Sequence, residues 1–302
     1  MNLLGKSFPK RFTAVFCVLA ALAYLPFLVG IHSNGLFSSI ESVWHDRAFN
    51  LREGSIKPGD PRMILLAVDD DTVHALGFPL PRKVYAKALA KLREHGAKTV
   101  VFDVLFLENR EGDAELAAET KKHGDVVHLF VIEKPDGAEK PRLQMAVKPL
   151  REASKILGSP SIAQHLDDDG HIRTFLLFNP DFEDPFRKGK PVTSLAAAAV
   201  ASFTGKTVDQ VLAENPADQQ PIPVLNFRKP VEWKRHDRAD SGDKYWSPYR
   251  TISLMDVVDG KLSKEQKESL KGALVMVGSI STGYFDHYPG PFNAHTPAPS
   301  SI

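Results

Sequence analysis

Residues 64–106 read "ILLAVDDDTVHALGFPLPRKVYAKALAKLREHGAKTVVFDVLF". The stretch opens on a continuous apolar run of strand length and stops at an acidic cluster, Asp69 to Asp71. From Pro81 the apolar residues Val84, Tyr85, Ala88, Leu89 and Leu92 recur at helical spacing. Proline suits a first helical turn and Gly96 suits the exit. "AKTVVFDVLF" is then a second buried strand. Strand, helix and strand in so short a stretch form a βαβ unit with parallel strands. One carboxylate, Asp103, interrupts the second apolar run. A charge there is costly unless it is paired or lies at the water's edge.

The pattern continues on both sides. "DAELAAETKKHG" reads as a helix capped by Asp113, and "DVVHLFVI" (125–132) as a third strand. "RLQMAVKPL", "IRTFLLFNP" and "PIPVLNF" (221–227) read as strands, and 192–205 as a helix. Residues 228–250 read as a mixed-charge loop. A Ser263…Gln266 capping box opens a helix that leads into the strand "ALVMVGS". Near-continuous apolar strands alternating with helices predict an α/β fold, with a mostly parallel sheet covered by helices on both faces.

The N-terminus predicts one transmembrane helix ahead of this fold. Residues 12–31, "FTAVFCVLAALAYLPFLVGI", carry no charge. Twenty helical residues span roughly 30 Å, one hydrocarbon core. Lys6, Lys10 and Arg11 precede the run, and no Lys or Arg follows until Arg47, so residues 1–11 are expected in the cytoplasm and the rest outside. Residues 32–58 are read as an amphipathic connector helix and linker. Residues 59–289 are the expected extracytoplasmic domain, and 290–302 a Pro-rich tail that leads on to further chain.

The 302-residue chain has 43% apolar residues, 25% charged residues and a net charge near +1. That balance gives no reason to expect a nucleic-acid binder. The single cysteine, Cys17, excludes an internal disulfide and a Cys-rich zinc site. "TGKT" (204–207) lacks the earlier glycine of a phosphate loop. "GSISTG" (278–283) has Ser279 where a nucleophile elbow needs glycine. "HLDDDG" (165–170) lacks the closing Glu of a calcium loop. "LLAVDDDTV" (65–73) resembles the first motif of haloacid dehalogenase-like phosphatases, with Asp69 as nucleophile and Asp71 as general acid. The further motifs of those magnesium enzymes do not follow. This phosphatase reading and a periplasmic scaffold are the two alternatives.

The order of the pieces is more specific than any one of them. It resembles the CHASE family of type two, cyclases/histidine kinases associated sensory extracellular domains. The matching residues are Asp69, the turn Gly77-Phe78-Pro79-Leu80-Pro81-Arg82, Gly96-Ala97-Lys98, Phe102-Asp103, Asp113 to Ala117, Asp167 to Arg173, Asn226-Phe227-Arg228 and the close at 270–278. Phe78 and Leu80 stand where the family usually has Trp. The resemblance implies a sensor on the outer face of a bacterial cytoplasmic membrane, in contact with the bilayer through residues 12–31. It implies no catalysis, metal or cofactor in this chain, and leaves room for a homodimer. It further implies an unknown ligand and a cyclase or kinase module beyond Ile302. The expected ligand-facing residues are Asp69, Arg82, Asp103, Arg173 and Arg228. In a parallel sheet the ligand edge is the C-terminal one. Asp69 and Asp103 should share that edge, with Arg82 within ion-pair reach of one of them.

Overall fold

The computed structural model describes residues 59–133, 142–160, 176–214, 231–234, 244–281 and 283, together with scattered helical positions before residue 52. Two compact units divide at Phe49/Asn50. In the first, Val15, Val18, Leu19 and Leu22 are helical and 57–60% exposed. Among the described residues no helix is long and apolar enough to cross a membrane.

The second unit is built on a mostly parallel sheet. Its strands are β1 (Met63–Val68), β2 (Thr99–Phe102), β3 (Val126–Glu133), β4 (Arg142–Met145), β5 (Ile156–Gly158), β10 (Arg250–Ser253) and β11 (Leu274–Ser279). The order is β10-β1-β11-β2-β3-β4, with β5 also on β3. Every pairing is parallel except β3 with β4. The βαβ unit expected at 62–106 is present, but its two strands are not neighbours. β11 lies between them, in register with Met63–Val68 on one side and Thr99–Phe102 on the other.

Helices cover both faces, as the continuous apolar strands require. On one face lie α2 (Arg82–Glu94), α3 (Asp113–His123) and α7 (Leu254–Asp259). Their Leu89, Leu92, Leu116 and Val257 pack with Leu66, Phe102 and Val277 of the sheet in the main core. On the other face α5 (Leu195–Thr204) sets Leu195, Ala198 and Ala199 against Val101, Val127 and Leu129. Burial of a leucine-sized side chain contributes about 1.5–3 kcal/mol, so these two layers carry the fold.

Several local expectations change. Asp69 caps α1 (Asp70–Leu76), so the acidic cluster opens a helix; its Oδ1 accepts the Thr72 N–H at 2.9 Å. Asp113 is the first residue of α3, not its cap. The cap is Gly112 at φ 92°, a left-handed conformation that glycine adopts without strain. "RLQMAVKPL" divides into β4 and α4 (Lys148–Ala153), because Pro149 suits a first helical turn and cannot continue a ladder. Residues 191–193 form β7 (Pro191–Thr193) before α5, paired with β6 (Phe178–Glu183). Helix α6 is Val208–Glu214. The expected loop 228–250 holds a hairpin of β8 (Val231–Lys234) and β9 (Lys244–Ser247), where Trp233 Nε1 donates to the Ser247 carbonyl at 3.0 Å. The capping box at Ser263 is present and opens α8 (Lys264–Leu270). Residues 167–173 and 221–228 lie outside the described residues.

Candidate functional site

The parallel strands end together. Val68 closes β1, Phe102 closes β2 and Ser279 closes β11. The Asp103 N–H still donates to the Val277 carbonyl at 2.8 Å, and the Ile280 N–H to the Val68 carbonyl at 3.0 Å. Asp69 and Asp103 therefore sit at the same C-terminal edge. Here a cleft of about 390 Å3 opens, walled by Val68 and Ser279 from below, Arg82 and Tyr85 from α2, and Asp103 with the chain that follows it. Its rim is apolar: Phe78 is 41% exposed and Leu107 47%.

The expected site residues take different parts. Asp103 lies in the wall, half-buried, beside Gly278 of the central strand. Arg82 also lies in the wall but is 4% exposed. The carboxylate within its reach is Asp113, not Asp69 or Asp103: Arg82 Nε donates to Asp113 Oδ1 at 3.0 Å. The other Asp113 oxygen accepts the Arg110 N–H at 2.7 Å. A spacing argument missed this pair because the partners are 31 residues apart. Asp69 is buried at the base of α1, where Thr72 Oγ1 also donates to it at 2.5 Å. Arg173 and Arg228 lie outside the described residues. Two rejected motifs also find structural partners: Lys206 pairs with Glu214, and Ser281 Oγ donates to Asp70 Oδ1 at 2.6 Å.

Behind the cleft wall is an aromatic cluster. Tyr85, Phe102 and Phe106 meet edge to face at 5.4–6.0 Å. The Arg82 guanidinium lies 4.4 Å from the Phe106 ring centroid, a cation–π contact away from water. His128 stacks flat on Phe102 at 4.8 Å and is fully buried. Burial pushes the Tyr85 hydroxyl up to about 12, with the Arg82 charge opposing. It thus remains a neutral donor. Sequence patterning had placed Tyr85 only in the core; its position one turn after Arg82 was the available signal.

Burial, helped by the Arg82 charge, pushes His128 down to about 3. The unfolded chain takes up this proton near pH 6.5. The native form binds it only near pH 3, so the contribution of His128 to stability is complete above pH 6.5 and falls as pH drops towards 3. Between pH 7 and pH 5 the chain should lose about 2 kcal/mol through this residue. Urea midpoints at the two pH values check this, and His128→Phe should flatten the difference. An equal loss in that variant would assign the dependence to other groups.

Among the described residues no three His, Cys, Asp or Glu side chains gather as metal ligands. No curated protein and no solved structure matches the chain. The family comparison does match, and over nearly the whole length. The CHASE2 domain model covers residues 17–301, and the chain belongs to this family of sensory extracellular domains.

Proposed function

We propose that the chain is the extracytoplasmic input domain of a bacterial membrane receptor, and that the cleft at the C-terminal sheet edge receives its signal molecule. The observation that carries the site is the meeting of three strand ends with a buried arginine and a half-buried carboxylate in one cleft. Open parallel sheets bind ligands outside the carboxyl ends of their strands. Family membership supports the sensory role. The apolar run 12–31, flanked by Lys6, Lys10 and Arg11, supports a membrane anchor with the sheet outside. Output by a cyclase or kinase module is part of the same reading. A sensor outside reports inside only by biasing a two-state element that crosses the membrane.

Topology is tested by reporter fusions after residue 60. An alkaline-phosphatase fusion should be active and a cytoplasm-only reporter silent. The opposite pair of results refutes the orientation, and a mature N-terminus near Tyr24 refutes the anchor. Sequencing the gene past Ile302 tests the output: a run of about 20 apolar residues followed by a cyclase or kinase module is expected.

A further inference from the structure

The two ends of the sheet are biased to opposite charge, which the net charge near +1 conceals. At the C-terminal edge Asp70 and Asp71 open α1, Asp113 and Glu115 open α3, and Asp103 follows β2, outnumbering the cations there. The N-terminal edge is marked by a row of backbone bonds. The Leu274 N–H donates to the Arg62 carbonyl at 2.8 Å, and the Lys98 N–H to the Ala273 carbonyl at 2.8 Å. Here the cations gather. Arg62 and Lys98 stand just before β1 and β2, and the last turns of α2 and α3 bring Lys91, Arg93, Lys121 and Lys122. The carboxylates of this edge are already engaged: Asp60 by Arg62, Glu94 by Lys91, Asp125 by Lys155, and Glu119 by both Arg93 and Lys122. Among the described residues no carboxylate pairs with Lys98 or Lys121.

Helix C-termini attract cations through their dipoles, which accounts for the four on α2 and α3. It does not account for Arg62 and Lys98, because they precede strands, and strands carry little net dipole. Both are exposed, and both lie against one ring. The Lys98 ammonium is 5.1 Å from the Phe203 ring centroid and the Arg62 guanidinium 5.7 Å. Phe203 is half-buried in the last turn of α5 and packs on the core beneath that helix. One fixed ring thus holds two cations at the rim of the domain, so they lose less side-chain freedom when an anion arrives. The Arg62–Asp60 pair is exposed, and a pair of that kind is weak enough to exchange for another anion.

The cations are spread over strand starts and helix ends instead of converging on one point. That suits a charged plane better than a single small anion. Residues 32–62, thirty-one in all, lead from the apolar run to the start of β1. A chain of that length spans about 30 Å as a coil and about 50 Å as a helix, so the basic edge is tethered near the expected bilayer. The acidic edge lies one strand away, about 20 Å for the six residues of β1.

We propose that the N-terminal edge of the sheet docks on anionic lipid headgroups, with Lys98 and Arg62 on the Phe203 ring facing the phosphates. The opposite edge, with its cleft, is thereby held away from the bilayer and open to the solution. This rests on the reading of residues 12–31 as a membrane anchor. Each cation brought to an anionic surface strengthens docking about fivefold.

The test is amide hydrogen exchange of the full 302-residue chain in nanodiscs, either of phosphatidylcholine alone or of equal parts phosphatidylcholine and phosphatidylglycerol. Residues 95–98 and 203–207 should exchange several-fold more slowly in the anionic discs, and residues 104–112 beside the cleft at the same rate in both. High salt should remove the difference. Lys98→Glu reverses an exposed charge and should also remove it, whereas Lys188→Glu, the same change on the turn between β6 and β7, should leave it in place. Equal exchange of 95–98 and 203–207 in the two kinds of disc overturns the docking. Slowing that Lys188→Glu removes as fully as Lys98→Glu overturns its placement on this edge. Slowing in neutral discs on addition of polyglutamate, with none from phosphatidylglycerol, assigns the edge to an acidic protein segment and overturns the lipid. A chain that enters neither disc refutes the anchor and the docking with it, so entry and edge protection separate the two readings.

Discussion

Asp113→Ala is expected to lower the thermal midpoint of the chain by roughly 10 °C. The side chains of Arg82 and Asp113 are 4% and 10% exposed, and they are joined at 3.0 Å. Deleting one member of a buried pair strands the other charge, which costs about 3–5 kcal/mol. In a domain of this size each kcal/mol moves the midpoint by about 2–4 °C. The Asp113 carboxylate also holds the Arg110 N–H, so the loop over the cleft loosens as well. Lys83 and Glu111 form the comparison pair, one residue along on α2 and two residues back on the loop. Their side chains are 55% and 85% exposed, and water screens such a pair so that it adds little to stability. Glu111→Ala should therefore melt within about 3 °C of the parent. Equal melting of the two variants, by differential scanning calorimetry, would show that the buried pair is not worth its burial.

Gly158→Val is the second large effect, and it acts on the opposite face of the sheet. Helix α5 sits so close to β5 that a Cβ on Gly158 would lie 2.7 Å from Leu195 Cα and 2.9 Å from Ala198 Cβ. Both obstacles are backbone or a short stub, so no side chain can swing aside. The helix cannot back away freely either. The Leu195 N–H donates to the Ser159 carbonyl at 2.8 Å, and the Ser159 N–H to the Thr193 carbonyl at 2.9 Å. Overpacking of a tight core costs about 1–3 kcal/mol, and a branched side chain here belongs at the top of that range. The urea midpoint should drop accordingly, with loss of near-ultraviolet circular dichroism around the α5 layer. A variant within about 0.5 kcal/mol of the parent would mean that α5 can slide.

The features legible in the sequence were local ones. The apolar runs at 64–68 and 99–102, the periodicity of α2 and the capping box at Ser263 are each set by residues close in the chain, and each is found in place. The shared edge of Asp69 and Asp103 follows from parallel strands alone. Non-local choices left no mark to read. Nothing in "ALVMVGS" says that it enters between β1 and β2 rather than at a margin, because any buried strand has the same composition. Arg82 had several carboxylates to choose from, and Asp113 won because Gly112 brings its loop against α2: a Cβ there would lie 2.9 Å from Arg82 Cβ. The hairpin β8–β9 was hidden because its strands, VEWK and KYWS, carry charged residues in place of a continuous apolar run. Arg82 stood among the expected site residues, but its partner and the hydroxyl of Tyr85 needed the packed helix to become visible.

The position of β11 also sets the order in which the domain can be made. The first strand waits for a partner more than two hundred residues downstream, as the Ser279–Val68 contact at a separation of 211 residues records. During synthesis, β1 and β2 emerge early without the central strand between them, and the edges that face it stay open until Leu274 has been made. Such late closure is slow, because long loops must be gathered before their contacts repay the entropy. Unpaired strand edges meanwhile invite association with other chains. Truncations that stop short of Leu274 should therefore aggregate rather than fold into a smaller version of the domain. The nascent protein should likewise depend on holding factors until its last strand arrives.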